Sequence, residues 1–156
     1  MQKNDFELLV CSCKASLITQ LVEAASHDPG VSLRLDPCGW RDWLWSELPL
    51  DICVLVDASD RPEIAMESLH AILPRIDTRQ VAIYTELMHD GLELFARLRG
   101  MLLLLGPMHT LQWLGYFQCV RRTQQMLERE VNAPLSRWKW PARGEVRALL
   151  IQGDAL

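Results

Sequence analysis

Short apolar runs alternate with amphipathic stretches along most of the chain. The segment "ICVLV" (52–56) is continuous and rich in β-branched residues, which is typical of a parallel strand buried on both faces. The segment "SLITQLVEAAS" (16–26) instead repeats its apolar residues at helical spacing, and Asp28-Pro29-Gly30 follows as a stop signal. The same pattern predicts strands at 6–11, 31–35, 52–56, 81–84 and 101–105, and helices at 16–26, at 39–48, from Pro62, at 89–98 and from Thr110.

Five strands that alternate with five helices predict an α/β fold, a doubly wound (βα)5 parallel five-stranded sheet with helices on both faces. In such sheets ligands bind at the carboxyl ends of the strands, near the point where the strand order reverses. We therefore expect any functional chemistry in the loops that follow Val10, Val56, Tyr84 and Leu105.

These loops lack the motifs of several common functions. No glycine-rich phosphate loop follows the first strand, since "CSCKAS" (11–16) contains no glycine. The chain has no G-x-S-x-G nucleophile motif, and its four histidines are not spaced as metal ligands. The sequence therefore predicts neither an enzyme nor a metal centre.

The composition indicates the class of protein, a single globular domain, and the cellular compartment in which it is expected. A chain of 156 residues that is 49% hydrophobic can build one globular core. The five cysteines are odd in number and scattered through apolar segments, which favours reduced thiols over a disulfide framework. The longest apolar run, "MLLLL" (101–105), is far shorter than the ~20 residues needed to span a bilayer. We expect a cytoplasmic protein that does not associate with membranes.

The order of elements resembles the receiver domain of bacterial response regulators, which has a flavodoxin/CheY-like fold. The resemblance rests on Asp57 at the end of the third strand, Thr85 at the end of the fourth and "RGMLLLLGPM" (99–108) around the fifth. It covers residues 6–127 and implies a receiver-like domain at 1–130. It further implies that Asp57 occupies the position of the phosphoacceptor.

The resemblance also implies that this position is silent. In the family an acidic pair after the first strand helps the acceptor aspartate to hold Mg²⁺, and a lysine at the end of the fifth strand pairs with the phosphoryl oxygens. Here the acidic pair aligns with Cys11 and Ser12, and the lysine aligns with Leu104. A phosphoryl group would find few partners and could not draw the loop of Thr85 inward. The alternative is that Asp57 is an ordinary capping or loop aspartate.

The C-terminal segment resembles a second module. "EVRALLIQGDAL" (145–156) is similar to the opening helix of the LuxR/FixJ-type helix-turn-helix domain. This implies a linker at 131–140 and an incomplete helix-turn-helix domain at 141–156, so DNA binding would need a complete module that this chain lacks. Residues 121–156 hold seven basic and four acidic side chains, which agrees with a nucleic-acid or acidic partner and equally with a solvated helix face. A generic amphipathic helix is the alternative.

A ligand is implied by one branch of that family. Some biofilm regulators with silent receivers bind cyclic di-GMP through an aromatic residue followed by L/F/M, S/T and Arg. The segment "PLSR" (134–137) supplies Arg137 but has Pro134 in the aromatic position. Cyclic di-GMP binding is therefore one hypothesis and an ordinary linker is the other, and no further cofactor is expected.

The aromatic residues of the last predicted helix indicate how the chain assembles. Trp113 and Tyr116 flank its apolar stripe, so we predict that they project to the side and form a homodimer interface. We expect a regulatory domain of a bacterial transcriptional regulator that works through dimerisation or partner binding. The alternative is a stand-alone adaptor with a degenerate receiver fold that docks on another protein.

Overall fold

Five parallel strands form one sheet in the order β2-β1-β3-β4-β5, counted along the chain. The computed structural model describes residues 6–36 and 52–132. The strands are β1 (Phe6–Cys11), β2 (Val31–Asp36), β3 (Cys53–Asp57), β4 (Val81–Thr85) and β5 (Leu102–Leu105). The helices are α1 (Ala15–Ser26), α2 (Pro62–Ile72), α3 (Asp90–Arg99) and α4 (Thr110–Asn132), with 3-10 turns at Leu73–Arg75 and Thr78–Gln80. The predicted fold class is confirmed.

Two hydrophobic cores cover the two faces of the sheet. Alternate residues of each strand point to opposite faces, so Leu55 belongs to the core under α1 and α4, and Val54 to the core under α2 and α3. Both faces of β3 are thus covered, which explains why its sequence is a continuous apolar run. Its last residue, Asp57, is the first to leave this apolar environment and marks the carboxyl edge of the sheet.

Helix boundaries follow the local sequence signals. Pro62 is the first residue of α2, where its missing N–H costs no hydrogen bond. Gly100 ends α3 in the left-handed conformation, with φ of 67°, and its N–H is bonded to the carbonyl of Arg97. The start at Pro62 agrees with the sequence prediction.

The orientation of α4 differs from the prediction. Trp113 is fully buried and Tyr116 nearly so, whereas Leu111 is 75% exposed. The prediction that Trp113 and Tyr116 project to the side was therefore wrong. Phe117 and Val120 also face the sheet, and the two aromatic rings share that face because they remove more apolar area from water than Leu111 does.

An ion pair fixes α4 against the end of α1. The guanidinium Nη2 of Arg121 donates to both carboxylate oxygens of Asp28, at 2.8 and 2.9 Å, and both side chains are largely buried. Asp28 belongs to the turn that ends α1, so the contact joins the two helices that cover one face of the sheet.

Several sequence predictions fall on other parts of the chain. The helix predicted at 39–48, Arg137 and the helix-turn-helix segment lie outside the described residues. The chain divides into two compact units, Met1–Met126 and Leu127–Leu156, and of the second the structure describes the last turns of α4. Among residues 6–36 and 52–132, no helix is both long and apolar enough to cross a membrane.

Candidate functional site

Asp57 lies at the carboxyl edge of the sheet, where the sequence placed it. Its Oδ2 accepts a hydrogen bond of 2.7 Å from the hydroxyl of Ser12, and its Oδ1 accepts one of 3.0 Å from the backbone N–H of Ser59. The bond to Ser59 closes a local turn, which is the role of an ordinary loop aspartate. Both carboxylate oxygens therefore already have neutral hydrogen-bond donors.

The two residues aligned with the acidic pair carry no charge. Cys11 is the last residue of β1 and is fully buried, and burial, followed by the charge of Asp36, raises the pKa of its thiol to about 12. Ser12 is also buried, and its hydroxyl oxygen accepts the backbone N–H of Lys14 at 3.0 Å. A neutral thiol and a hydroxyl therefore offer no carboxylate to a hard divalent cation at these two positions.

The resemblance to receiver domains implies a magnesium ion at this edge, and the residues present do not fit one. The carboxylate of Asp57 is bonded to neutral donors, and its neighbour Ser12 donates a hydrogen bond to it and adds no carboxylate. Within the described ranges, no group of three or more histidine, cysteine, aspartate or glutamate side chains is placed to hold a metal ion.

A lysine and a glutamate that the sequence analysis passed over meet at the same edge. The ammonium group of Lys14, in the loop after β1, pairs with Oε2 of Glu86, in the loop after β4. Tyr84 donates its hydroxyl to Oε1 of Glu86 at 3.0 Å, so both oxygens of that carboxylate are bonded.

The pKa values of the pair reflect these contacts. The hydrogen bond from Lys14, followed by that from Tyr84, lowers the pKa of the Glu86 carboxyl. The hydrogen bond to Glu86 raises the pKa of the Lys14 ammonium, and the charges of Asp57 and Asp60 act in the same direction. Lys14 is therefore a cation on which three carboxylates of this edge act, those of Glu86, Asp57 and Asp60.

Thr85 ends β4 with its hydroxyl engaged in its own loop. Its Oγ1 donates to the carbonyl of Leu87 at 2.8 Å and accepts the N–H of the same residue at 3.3 Å. The N–H of Glu86 donates to the hydroxyl of Ser59 at 3.2 Å, which ties this loop to the one after β3. The side chains of Leu87 and Met88 that follow are 72% and 55% exposed.

The position aligned with the family's lysine requires a correction. Leu104 lies inside β5, opposite Tyr84, and packs against the core under α1 and α4. The strand continues to Leu105, so Gly106 is the residue that leaves it, and its N–H donates to the carbonyl of Thr85 at 2.8 Å. A Cβ on Gly106 would lie 2.1 Å from the Tyr84 hydroxyl oxygen, so the tyrosine fills the space that a longer side chain would need.

The structure thus joins three loops at one edge of the sheet. Ser12 bonds to Asp57, Lys14 to Glu86, and Glu86 to Ser59, which connects the loops after β1, β3 and β4. Ser12, the hydroxyl beside Asp57, is buried, and it both donates to Asp57 and accepts the N–H of Lys14. The arrangement is suited to holding loops in place.

Comparison with known proteins identifies the fold. No protein-family model matches the sequence, and no curated protein sequence matches it. Among solved structures, the signal receiver domain assigned to a LuxO repressor protein of Vibrio parahaemolyticus has a TM-score of 0.60 at 15% identity, covering 82% of this chain and 98% of that chain. An adenylate cyclase from Rhodopirellula baltica has a TM-score of 0.66 at 12% identity, covering 88% of this chain and 100% of the other.

A third similar structure is assigned as a CpaE2 pilus assembly protein of Sinorhizobium meliloti 1021, with a TM-score of 0.59 at 15% identity. The likeness covers 73% of this chain and 98% of that one. At these identities the comparisons establish the receiver fold alone. The described part of this chain is a receiver fold whose carboxyl edge holds Ser12, Lys14, Asp57 and Glu86 in one hydrogen-bonded network.

Proposed function

We propose that this chain is a regulatory receiver-like domain of a bacterial transcriptional regulator that works through protein contacts and not through aspartyl phosphorylation. The observation that carries the proposal is the carboxylate of Asp57, whose oxygens accept hydrogen bonds from Ser12 and Ser59. The receiver fold supports a response-regulator-type role, because the solved structures that share it are mostly receiver domains.

Asp57 should not be phosphorylated, because the groups that would offset the negative charge of a phosphoryl group are missing around it. Phosphoryl transfer to a carboxylate brings two anionic groups together, so a bound cation and a nearby ammonium group are needed to offset the repulsion. Cys11 and Ser12 are neutral, Gly106 has no side chain where β5 ends, and the ammonium group of Lys14 is already paired with Glu86. Thr85 is bonded to its own loop and gives a phosphoryl group no partner.

Treatment with acetyl phosphate and Mg²⁺ tests this part of the proposal. The intact mass of the wild-type protein should stay unchanged, as should that of Asp57→Asn. A receiver domain that is known to accept a phosphoryl group from acetyl phosphate serves as the positive control. A stoichiometric gain of one phosphoryl group in the wild type that Asp57→Asn abolishes would overturn the proposal.

We further propose a homodimer whose interface lies at the edge of the sheet. β5 is an edge strand, and Leu102 and Leu105 on it are exposed, as is Leu98 on the preceding α3. An exposed apolar edge strand has unpaired backbone N–H and C=O groups and can pair with another strand or pack against another surface. In a two-fold dimer the same edge of each copy would bury the other. Trp113 and Tyr116, which lie in the core, have no part in this interface.

Light scattering at micromolar concentration tests the dimer. Leu102→Glu and Leu105→Glu should give monomers, because each would bury a charge at the interface. Val22→Glu, an equally apolar exposed position on α1, serves as the matched control and should leave the dimer intact. A monomeric wild type would contradict the proposal.

The stand-alone adaptor is the second candidate function. The likeness to a protein assigned to pilus assembly favours it, because that protein has a similar fold and is not assigned to transcription. DNA binding separates the candidates: a complete helix-turn-helix in the full gene product supports the regulator. This 156-residue chain itself should give no sequence-specific footprint at physiological salt.

Cyclic di-GMP binding through Arg137 and a cytoplasmic location stay predictions. Titration calorimetry with cyclic di-GMP tests the first, with Arg137→Ala as the variant that should abolish any heat of binding.

A further inference from the structure

The carboxyl edge of the sheet carries a cation supplied by the chain itself. Lys14 stands in the loop directly after β1, two residues beyond Ser12, which bonds to Asp57. Its ammonium group pairs with Glu86 on the far side of β3. The carboxylates of Asp57, Asp60 and Glu86 all act on it electrostatically.

The strand order explains why this contact matters. β1 and β4 are the two neighbours of β3, so the loops that follow them stand on either side of Asp57. A bond between Lys14 and Glu86 therefore connects the two loops that flank Asp57. The loops after β1 and β4 are each also bonded to the loop after β3, through Ser12 and Asp57 and through Glu86 and Ser59, so the Lys14 contact adds a direct connection between them.

Other hydrogen bonds hold the backbone of Lys14 and Glu86 and the carboxylate of Glu86 in position, apart from the ion pair itself. The N–H of Lys14 bonds to Ser12, the N–H of Glu86 bonds to Ser59, and Tyr84 fixes the second oxygen of the Glu86 carboxylate. Because these bonds restrict the backbone and the carboxylate, the pair loses less conformational entropy than two mobile surface side chains would. This distinguishes it from the solvent-exposed pair of Arg97 and Glu93 on α3.

We propose that Lys14 is a tethered cation that takes the place of a bound divalent metal and permanently holds the loop of Glu86, Leu87 and Met88 in one conformation. The loop then presents its exposed apolar side chains without any phosphoryl group or metal. The inference rests on the proposed silence of Asp57 and names the group that replaces the switch.

Amide hydrogen exchange in the full chain tests the loop. In Lys14→Ala the N–H groups of Glu86 and Leu87 should exchange up to about fivefold faster, as expected for loss of one partly exposed ion pair. Lys14→Arg, which keeps the charge, should restore most of the protection. Arg97→Ala, which breaks an exposed pair elsewhere, is the control and should leave these amides unchanged. Equal exchange in Lys14→Ala and the wild type would overturn the inference.

Metal binding gives a second and independent test. Ser12→Asp adds a carboxylate beside Asp57, and Lys14 should still exclude Mg²⁺ from that variant by charge repulsion. The double variant Ser12→Asp/Lys14→Ala should bind Mg²⁺ about tenfold more tightly by calorimetry, since removing an adjacent positive charge strengthens cation binding. Equal Mg²⁺ affinity in the two variants would show that Lys14 does not occupy the place of the metal.

The two proposals fail differently. Phosphorylation of wild-type Asp57 overturns the proposed function whatever the loop does. Unchanged exchange in Lys14→Ala overturns the tethered cation and leaves a silent receiver that is held in another way.

Discussion

The ring of Trp113 packs against the ring of Tyr84, with 5.5 Å between their centroids and 36° between their planes. Trp113 lies in the core under α1 and α4, whereas the hydroxyl of Tyr84 reaches Glu86 at the carboxyl edge. One side chain therefore connects the packing of α4 with the network that surrounds Asp57. We therefore expect a substitution at Trp113 to affect the hydrogen bond of Tyr84 with Glu86, and a substitution at Glu86 to affect the packing of Tyr84.

Trp113→Ala should lower the free energy of unfolding by about 3–5 kcal/mol, because it leaves a cavity in a fully packed core. Trp113→Phe should cost less, because it keeps an aromatic ring on Tyr84 and removes an indole N–H that has no hydrogen-bond partner among the described residues. Urea unfolding measures both. Leu111→Ala, at an exposed position on the same helix, is the control and should change stability by less than about 0.5 kcal/mol.

Tyr84→Phe should destabilise the protein by about 1 kcal/mol, since it removes one hydrogen bond to a carboxylate and keeps the ring. The pKa of Glu86 should rise toward its ordinary value at the same time, because one of the donors that lower it is lost. Carboxyl chemical shifts followed through an acid titration report this pKa. An unchanged pKa in Tyr84→Phe would show that the hydroxyl does not hold the carboxylate.

The ion pair of Lys14 and Glu86 should stabilise the fold only between two pH limits. The folded pKa of Glu86 lies below its usual value of 4.5, so its contribution is complete above that value and is lost as the pH falls through the folded pKa. The folded pKa of Lys14 lies above 10.5, so its contribution is complete below that value and is lost as the pH rises through the folded pKa.

The stability difference between wild type and Glu86→Gln, measured by urea unfolding across this range, should be flat at neutral pH and shrink toward acid. Asp77, whose pKa is lowered mainly by its hydrogen bond with Arg79, also titrates at acid pH and is present in both proteins, so it cancels in the difference. A difference that grows as the pH falls would contradict the assignment.

Arg121→Lys should destabilise the protein by about 1–2 kcal/mol, because a lysine cannot bond both oxygens of Asp28 in the planar geometry of a guanidinium group. Thermal unfolding at low and high salt measures this loss, which should depend weakly on salt because the pair is largely buried. Arg97→Lys, in an exposed pair within α3, is the comparison and should cost little. Equal losses in the two variants would show that the contact between α1 and α4 contributes no more than a surface pair.

The sheet could be predicted from sequence because its signals are local. The apolar run at 52–56 predicts a strand, and the proline at position 62 predicts the start of a helix, each from a few neighbouring residues. β3 and α2 lie at these positions in the structure. The predicted end of β5 at residue 105 agrees with the observed strand, whereas the resemblance aligned the family's lysine with Leu104, which lies inside that strand. At the start of α4, several apolar residues compete for one face, and tertiary packing of Trp113 on Tyr84 and Tyr116 accompanies its burial there.

The pairing of Lys14 with Glu86 could not be predicted in the same way. The two residues are 72 positions apart and meet only because β1 and β4 both border β3. Each follows directly on a predicted strand end, so a search for opposite charges in the loops beside Asp57 would have raised the pair as a candidate. The positions of these residues after strand ends could thus be read from the sequence, but which of them pair could be known only from the strand order.

Because Cys11 is fully buried, the rate at which a reagent labels its thiol reports local opening of the protein. Alkylating reagents attack the thiolate, and a buried thiol whose pKa is raised to about 12 offers almost none at neutral pH. Cys13, two residues along, is exposed and should react at once, as should Cys119. The rate at which Cys11 becomes labelled therefore measures how often the end of β1, next to Ser12 and its bond to Asp57, opens to solvent.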